Sequence, residues 1–196
     1  MLRRIGVALA LVLAICGQTY AADCEDLNQM SPEGLVNFLR TSAKTADQQC
    51  VVKAIKGLGA SRPKERATIE LLIDLLDFRE PQPELLRKHF SSSHEPFPAV
   101  SALLSVGTPA LEPLIARLQS GRMTDTAREN AIRLIFFLHT KDPVKAVLLL
   151  RKAADRAPTQ VAFAELESAA RDMAKLCSRN KGRKVNCEAA LLGVDQ

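Results

Sequence analysis

The feature that most restricts how this chain can fold is a corner, Gly107-Thr108-Pro109, set between two apolar stripes of helical period in Phe97–Leu118 (FPAVSALLSVGTPALEPLIARL). Val100, Leu103 and Leu104 fall at i, i+3 and i+4 and so share one helix face. Gly107 can end that helix, because it takes the left-handed conformation without a Cβ penalty. Thr108 is then placed to cap the next helix, and Pro109 suits its first position, where a missing N–H costs nothing. Leu111, Leu114, Ile115 and Leu118 complete a second stripe at i, i+3, i+4 and i+7. Pro113 interrupts it and predicts a bend, since it removes a hydrogen bond.

The same period recurs on both sides. Ser31-Pro32 opens a helix whose face is Leu35, Phe38 and Leu39, and Thr41–Asp47 reads as a polar turn. A second helix carries Cys50, Val51, Ile55 and Leu58 and is predicted to stop at Gly57 or Gly59. A third begins near Pro63 and aligns Ile69, Leu72, Ile73 and Leu76. Pro81 and Pro83 break the chain, a short helix follows over Glu84–Phe90, and residues 91–98 (SSSHEPFP) form an internal linker. Thr124–His139 places Ala131, Leu134, Ile135 and Leu138 in register. Asp142-Pro143 starts a helix through Val144, Val147 and Leu148, and Pro158-Thr159 starts a long one through Phe163, Leu166 and Met173 to Cys177. No alternating strand pattern of useful length appears, so the expected fold class is all-α.

The segment VGTPALEPLIARL, with its tight corner and proline-bent second helix, resembles a HEAT repeat. That resemblance implies a short α-solenoid of HEAT-like helical hairpins, with an irregular helical bundle as the alternative. It also implies a scaffold that binds another protein along a helical face. Ala54-Ile55 with Gly59, Ala102-Leu103 with Gly107, and Ala131-Ile132 with Phe136 form a degenerate internal pattern, at offsets of about 48 and 29 residues.

The N-terminus reads as an export signal. Arg3 and Arg4 precede an apolar run, Ile5–Ile15, and Thr19-Tyr20-Ala21 offers a cleavage site before Ala22. The run is short of the roughly 20 residues of a membrane span, so residues 1–21 are expected to be a cleaved signal peptide and residues 22–196 the mature domain. The expected location is the periplasm or the extracellular space. Cleavage removes two arginines and no acid, leaving 25 basic against 22 acidic side chains, a net charge of +3. That is too mild to imply nucleic acid. The only tyrosine, Tyr20, leaves with the signal and there is no tryptophan, which argues against an aromatic sugar-stacking platform.

Four cysteines remain, Cys24, Cys50, Cys177 and Cys187, and an even number in an exported chain predicts two disulfides. Their clustering at the two ends favours Cys24–Cys50 and Cys177–Cys187. A zinc site is the rival reading, and it lacks any C-x-x-C pair.

Candidate chemistry is sparse. His89 and His94 with Glu95 suggest metal ligands, but the spacing of five residues misses the one-turn separation of H-E-x-x-H, and no metal or cofactor is expected. His139 sits at a helix end, where it is expected to be structural. Ser91–Ser93 beside His94 lack a supporting nucleophile motif. The carboxylates Glu65/Glu70 and Glu165/Glu167 read as solvated helix faces, so an enzyme is the least favoured class and no catalytic residue is assigned. Within 178–186, Arg179, Lys181, Arg183 and Lys184 occur without an acid. This loop is the candidate contact for an anionic envelope surface, or else a soluble turn. The partner otherwise expected is an envelope or extracellular protein.

Overall fold

The computed structural model describes Cys24 and residues 26–81, 97–179 and 187–192. These residues are helical and contain no strand, as the 3.6-residue period predicts. A 3-10 turn, Asp26–Gln29, leads into α1 (Pro32–Ser42), α2 (Gln48–Ser61) and α3 (Arg66–Asp74). After residue 96 come α4 (Pro98–Val106), a 3-10 turn Thr108–Ala110, α5 (Leu111–Gln119), α6 (Asp125–Leu138), α7 (Pro143–Ala154), α8 (Gln160–Arg179) and α9 (Cys187–Leu192). The signal segment 1–21, the Glu84–Phe90 helix and the linker up to residue 96 lie outside the described residues. Among the described residues no single helix is long and apolar enough to cross a membrane.

Local chemistry sets most helix starts. Ser31, Asp47, Thr124 and Asp142 each accept a hydrogen bond from a backbone N–H of the first turn, at 3.2, 2.7, 3.2 and 3.2 Å. Thr159 does the same for Ala162 at 3.2 Å.

The corner is built differently from the expectation. Gly107 ends α4 at φ 79°, its N–H bonded to the Leu103 carbonyl at 3.0 Å. Thr108 makes no side-chain cap, and the next helix starts instead with the 3-10 turn. Pro113 is the third residue of α5, in the first turn, so it does not bend the helix midway. Its ring disfavours α geometry at the carbonyl four residues back, Pro109, and the 3-10 turn falls there. The axes of α4 and Thr108–Gln119 turn through 112°, so the two helices diverge rather than lie against each other as a hairpin.

Packing pairs other helices. α1 lies on α2, and α7 on α8, as antiparallel neighbours joined by short turns. α4 rests mainly on α2, and α5 on α8 and α3. Side-by-side helices run in the same direction: Arg66 and Arg117 of the α3/α5 pair reach Glu112 and Asp74, residues 46 and 43 positions away. Arg128 of α6 likewise reaches Asp172 of α8, 44 positions on.

The glycines of α2 are not terminators. The helix runs past Gly57 and Gly59 to Ser61 and ends at Arg62, whose N–H bonds the Gly59 carbonyl from a left-handed φ of 49°. Gly59 is there because α4 crosses it: a Cβ would lie 2.6 Å from the Ala102 Cα.

One aliphatic core joins these helices, with Ile55, Leu72, Leu103, Leu114, Leu134, Leu150 and Leu166 all buried. Ile73 and Leu134 are buried as predicted, and Leu111 and Ile115 are half-buried. Phe163 and Leu148 are 40% and 47% exposed, because the buried seams of α8 and α7 run through Ala162/Leu166 and Val147/Leu150.

Candidate functional site

Both expected disulfides are present. Cys24–Cys50 spans a Cα–Cα distance of 5.1 Å and Cys177–Cys187 one of 6.1 Å, inside the roughly 4.4–6.8 Å the bond requires. The Asp47 carboxylate lies within 4.8 Å of the first sulfur pair. Its oxygen serves the α2 N-cap and the sulfurs are spent on each other, so this trio acts structurally. The second bridge holds α9 to the end of α8, where Arg151 of α7 donates to the carbonyls of Ala190 and Leu191.

A surface depression of about 450 Å³ runs between α6 and α8. α6 contributes Asp125, Arg128, Glu129 and Ile132; α8 contributes Asp172, Lys175, Leu176 and Arg179. Each set falls at i, i+3, i+4 and i+7, the spacing of a single helix face. Ile132, 2% exposed, and the half-buried Leu176 form the floor.

Arg128 closes one end. Its Nη1 donates to Asp172 at 2.9 Å, its Nη2 to Ser168 at 2.9 Å, and its Nε stands 3.9 Å from Glu165. Lys175 adds a bond to Asp172 at 3.2 Å. Burial pushes the Asp172 carboxyl up, but the hydrogen bonds and charges of Arg128 and Lys175 outweigh it and hold it below the ordinary value. Asp172 therefore stays ionised at neutral pH.

Of the residues singled out from sequence, Arg179 is exposed on the rim of this groove. Lys181, Arg183 and Lys184 lie outside the described residues, as do His89, Ser91–Ser93, His94 and Glu95. His139 is half-buried at the end of α6, with Nδ1 2.9 Å from the Ile135 carbonyl. Glu70 is paired with Arg66 at 2.8 Å, and Glu167 lies 3.6 Å from Arg171. These carboxylates thus face neighbouring cations on the helix surface.

Sequence reasoning missed the groove and one buried polar group. Asn130, 3% exposed, donates from Nδ2 to the Leu76 carbonyl at 2.8 Å and so ties α6 to the end of α3. Each of these two helix faces carries three charged residues and one aliphatic residue at i, i+3, i+4 and i+7, but nothing in the sequence pairs the two faces. Nothing local distinguished Asn130 from an exposed helix residue. No family model, curated protein or solved structure matches this chain.

Proposed function

We propose that the chain is an exported, non-catalytic scaffold, a short HEAT-like α-solenoid that binds another envelope or extracellular protein along a helical face. The observation that carries this reading is the recurring offset of side-by-side, same-direction helices: 46, 43 and 44 residues across Arg66–Glu112, Arg117–Asp74 and Arg128–Asp172. HEAT-type units repeat at roughly 40–47 residues, and their stacked helices leave extended grooves for partners. The two disulfides support export, since such bonds persist in oxidising compartments. They also sit at the two ends of the helical stack, where a terminal unit has a neighbour on one side only.

A second reading, peripheral attachment to an anionic surface, draws on the exposed Lys175 and Arg179 beside the basic stretch Lys181–Lys184. One experiment separates the two. The oxidised chain is used to capture partners from the envelope fraction, and in parallel is floated with vesicles containing anionic lipid. Retention of one protein in high salt, surviving Arg183→Glu/Lys184→Glu, is the expected result. Salt-labile binding to vesicles with no protein partner would overturn the scaffold reading in favour of the second. Export itself predicts a mature chain beginning at Ala22 and, non-reduced, four hydrogens lighter than its thiol form.

A further inference from the structure

The α6/α8 groove has walls of opposite charge. On the α6 side Asp125 and Glu129 are exposed, Glu129 already accepting a hydrogen bond from Arg133 one turn on at 2.5 Å; on the α8 side Lys175 and Arg179 are exposed. The remaining charged pair, Arg128 and Asp172, cancels across one end at 2.9 Å. Lys175 gives one hydrogen bond to Asp172, and an ammonium has two further donors. Between the walls lies the apolar floor of Ile132 and Leu176.

The two walls are in step. Gly121, in the turn before α6, approaches Glu165, and Arg128 of α6 reaches Asp172 further along α8. Each wall presents its charges one helical turn apart, at 125/129 and 175/179. The face from Asp125 to Ile132 is about 10 Å long at 1.5 Å per residue, two turns of helix.

We infer that this groove is the docking site for an amphipathic helix of the protein partner, one with a basic edge against Asp125 and Glu129, an acidic edge against Lys175 and Arg179, and an aliphatic seam on Ile132 and Leu176. This rests on the scaffold reading and names the surface it uses. A ligand of a single sign would be attracted by one wall and repelled by the other. A helix with unlike edges satisfies both walls at once, and its own i, i+4 spacing matches theirs. The groove's charged walls are exposed, which suits a helix laid along it better than an enclosed small molecule.

The test uses the oxidised chain and three fluorescent synthetic helices of about four turns. All share a leucine seam; one has a lysine edge and a glutamate edge, one has two lysine edges, and one has two glutamate edges. Fluorescence anisotropy is expected to rank the unlike-edged helix about tenfold or more tighter than either control. Asp125→Lys/Glu129→Lys should shift the preference to the two-glutamate helix, and Lys175→Glu/Arg179→Glu to the two-lysine helix. Leu176→Lys should weaken all three, and circular dichroism would establish that each variant is folded. The inference is overturned if the wild-type chain prefers the two-glutamate helix or binds none. It is also overturned if folded charge-reversed variants keep the original ranking, or if free lysyl-glutamate displaces the helix at equal affinity. Should Asp125→Lys/Glu129→Lys still retain its salt-resistant envelope partner, the scaffold reading survives and the groove is refuted.

Discussion

Replacing Gly59 with alanine tests the packing of the whole N-terminal half, because two effects of opposite sign meet there. In a helix interior Gly→Ala stabilises by about 1 kcal/mol, through intrinsic propensity and a less flexible unfolded chain. At Gly59 the new Cβ would stand 2.6 Å from the Ala102 Cα and 2.7 Å from its Cβ. Relief to a tolerable 3.4 Å requires α2 and α4 to part by about 0.8 Å, and overpacking of this kind costs about 1–3 kcal/mol. The obstruction is backbone, so no rotamer change absorbs it. Separation also loosens Ile55, Leu58 and Leu103, which are fully buried beside the contact. The expected net effect of Gly59→Ala is a loss of up to about 2 kcal/mol. That lowers Tm by up to about 8 °C in a chain of this size. Two companions calibrate it. Gly34→Ala meets nothing nearer than 3.5 Å and should raise Tm, by up to about 1 kcal/mol of stability. Gly57→Ala meets only the Leu35 Cδ1 at 2.9 Å, a movable end, and should change stability little. Thermal and urea unfolding of the oxidised proteins gives the ranking Gly34→Ala, Gly57→Ala, Gly59→Ala, from most to least stable. If Gly59→Ala raises Tm as Gly34→Ala does, α4 does not cross α2 at Ala102 and the packing described here is wrong.

The disulfides should contribute unequally, since the loops they close span 26 and 10 residues. Chain entropy assigns about 3.5 kcal/mol to Cys24–Cys50 and about 2.7 to Cys177–Cys187, so denaturant titration should find Cys24→Ser/Cys50→Ser the weaker fold. Asn130→Ala removes the donor to the buried Leu76 carbonyl at 2.8 Å and should cost about 1–3 kcal/mol in urea unfolding. An equal midpoint would mean that water serves that carbonyl. Asp172 has a depressed pKa, so its contribution is present above the unfolded value of about 3.9 and is lost as pH falls through the lower folded value. The stability difference between wild type and Asp172→Asn should therefore shrink on acidification across that window. A difference unchanged from neutral to strongly acidic pH would contradict the ion pairing with Arg128 and Lys175.

The helices themselves were legible because their causes are local. Ser31, Asp47, Thr124 and Asp142 announce starts through hydroxyls and carboxylates that reach backbone N–H groups only two or three residues away. Apolar residues at i, i+3 and i+4 announce the faces, and cysteine clustering at the two chain ends announced both bridges. What the chain could not disclose by itself was which helix would meet which. Gly59 looks like a stop signal in isolation; only the approach of α4 shows that the missing side chain makes room for Ala102. The corner at Gly107 suggested a hairpin, yet its 112° turn sends α4 to α2 and α5 to α3 and α8. The groove between α6 and α8 likewise needs residues 44 positions apart to be brought side by side. Capping and periodicity act over one or two turns of chain, whereas partner choice is decided by how aliphatic faces from distant segments share one core, and that is a property of the assembled fold.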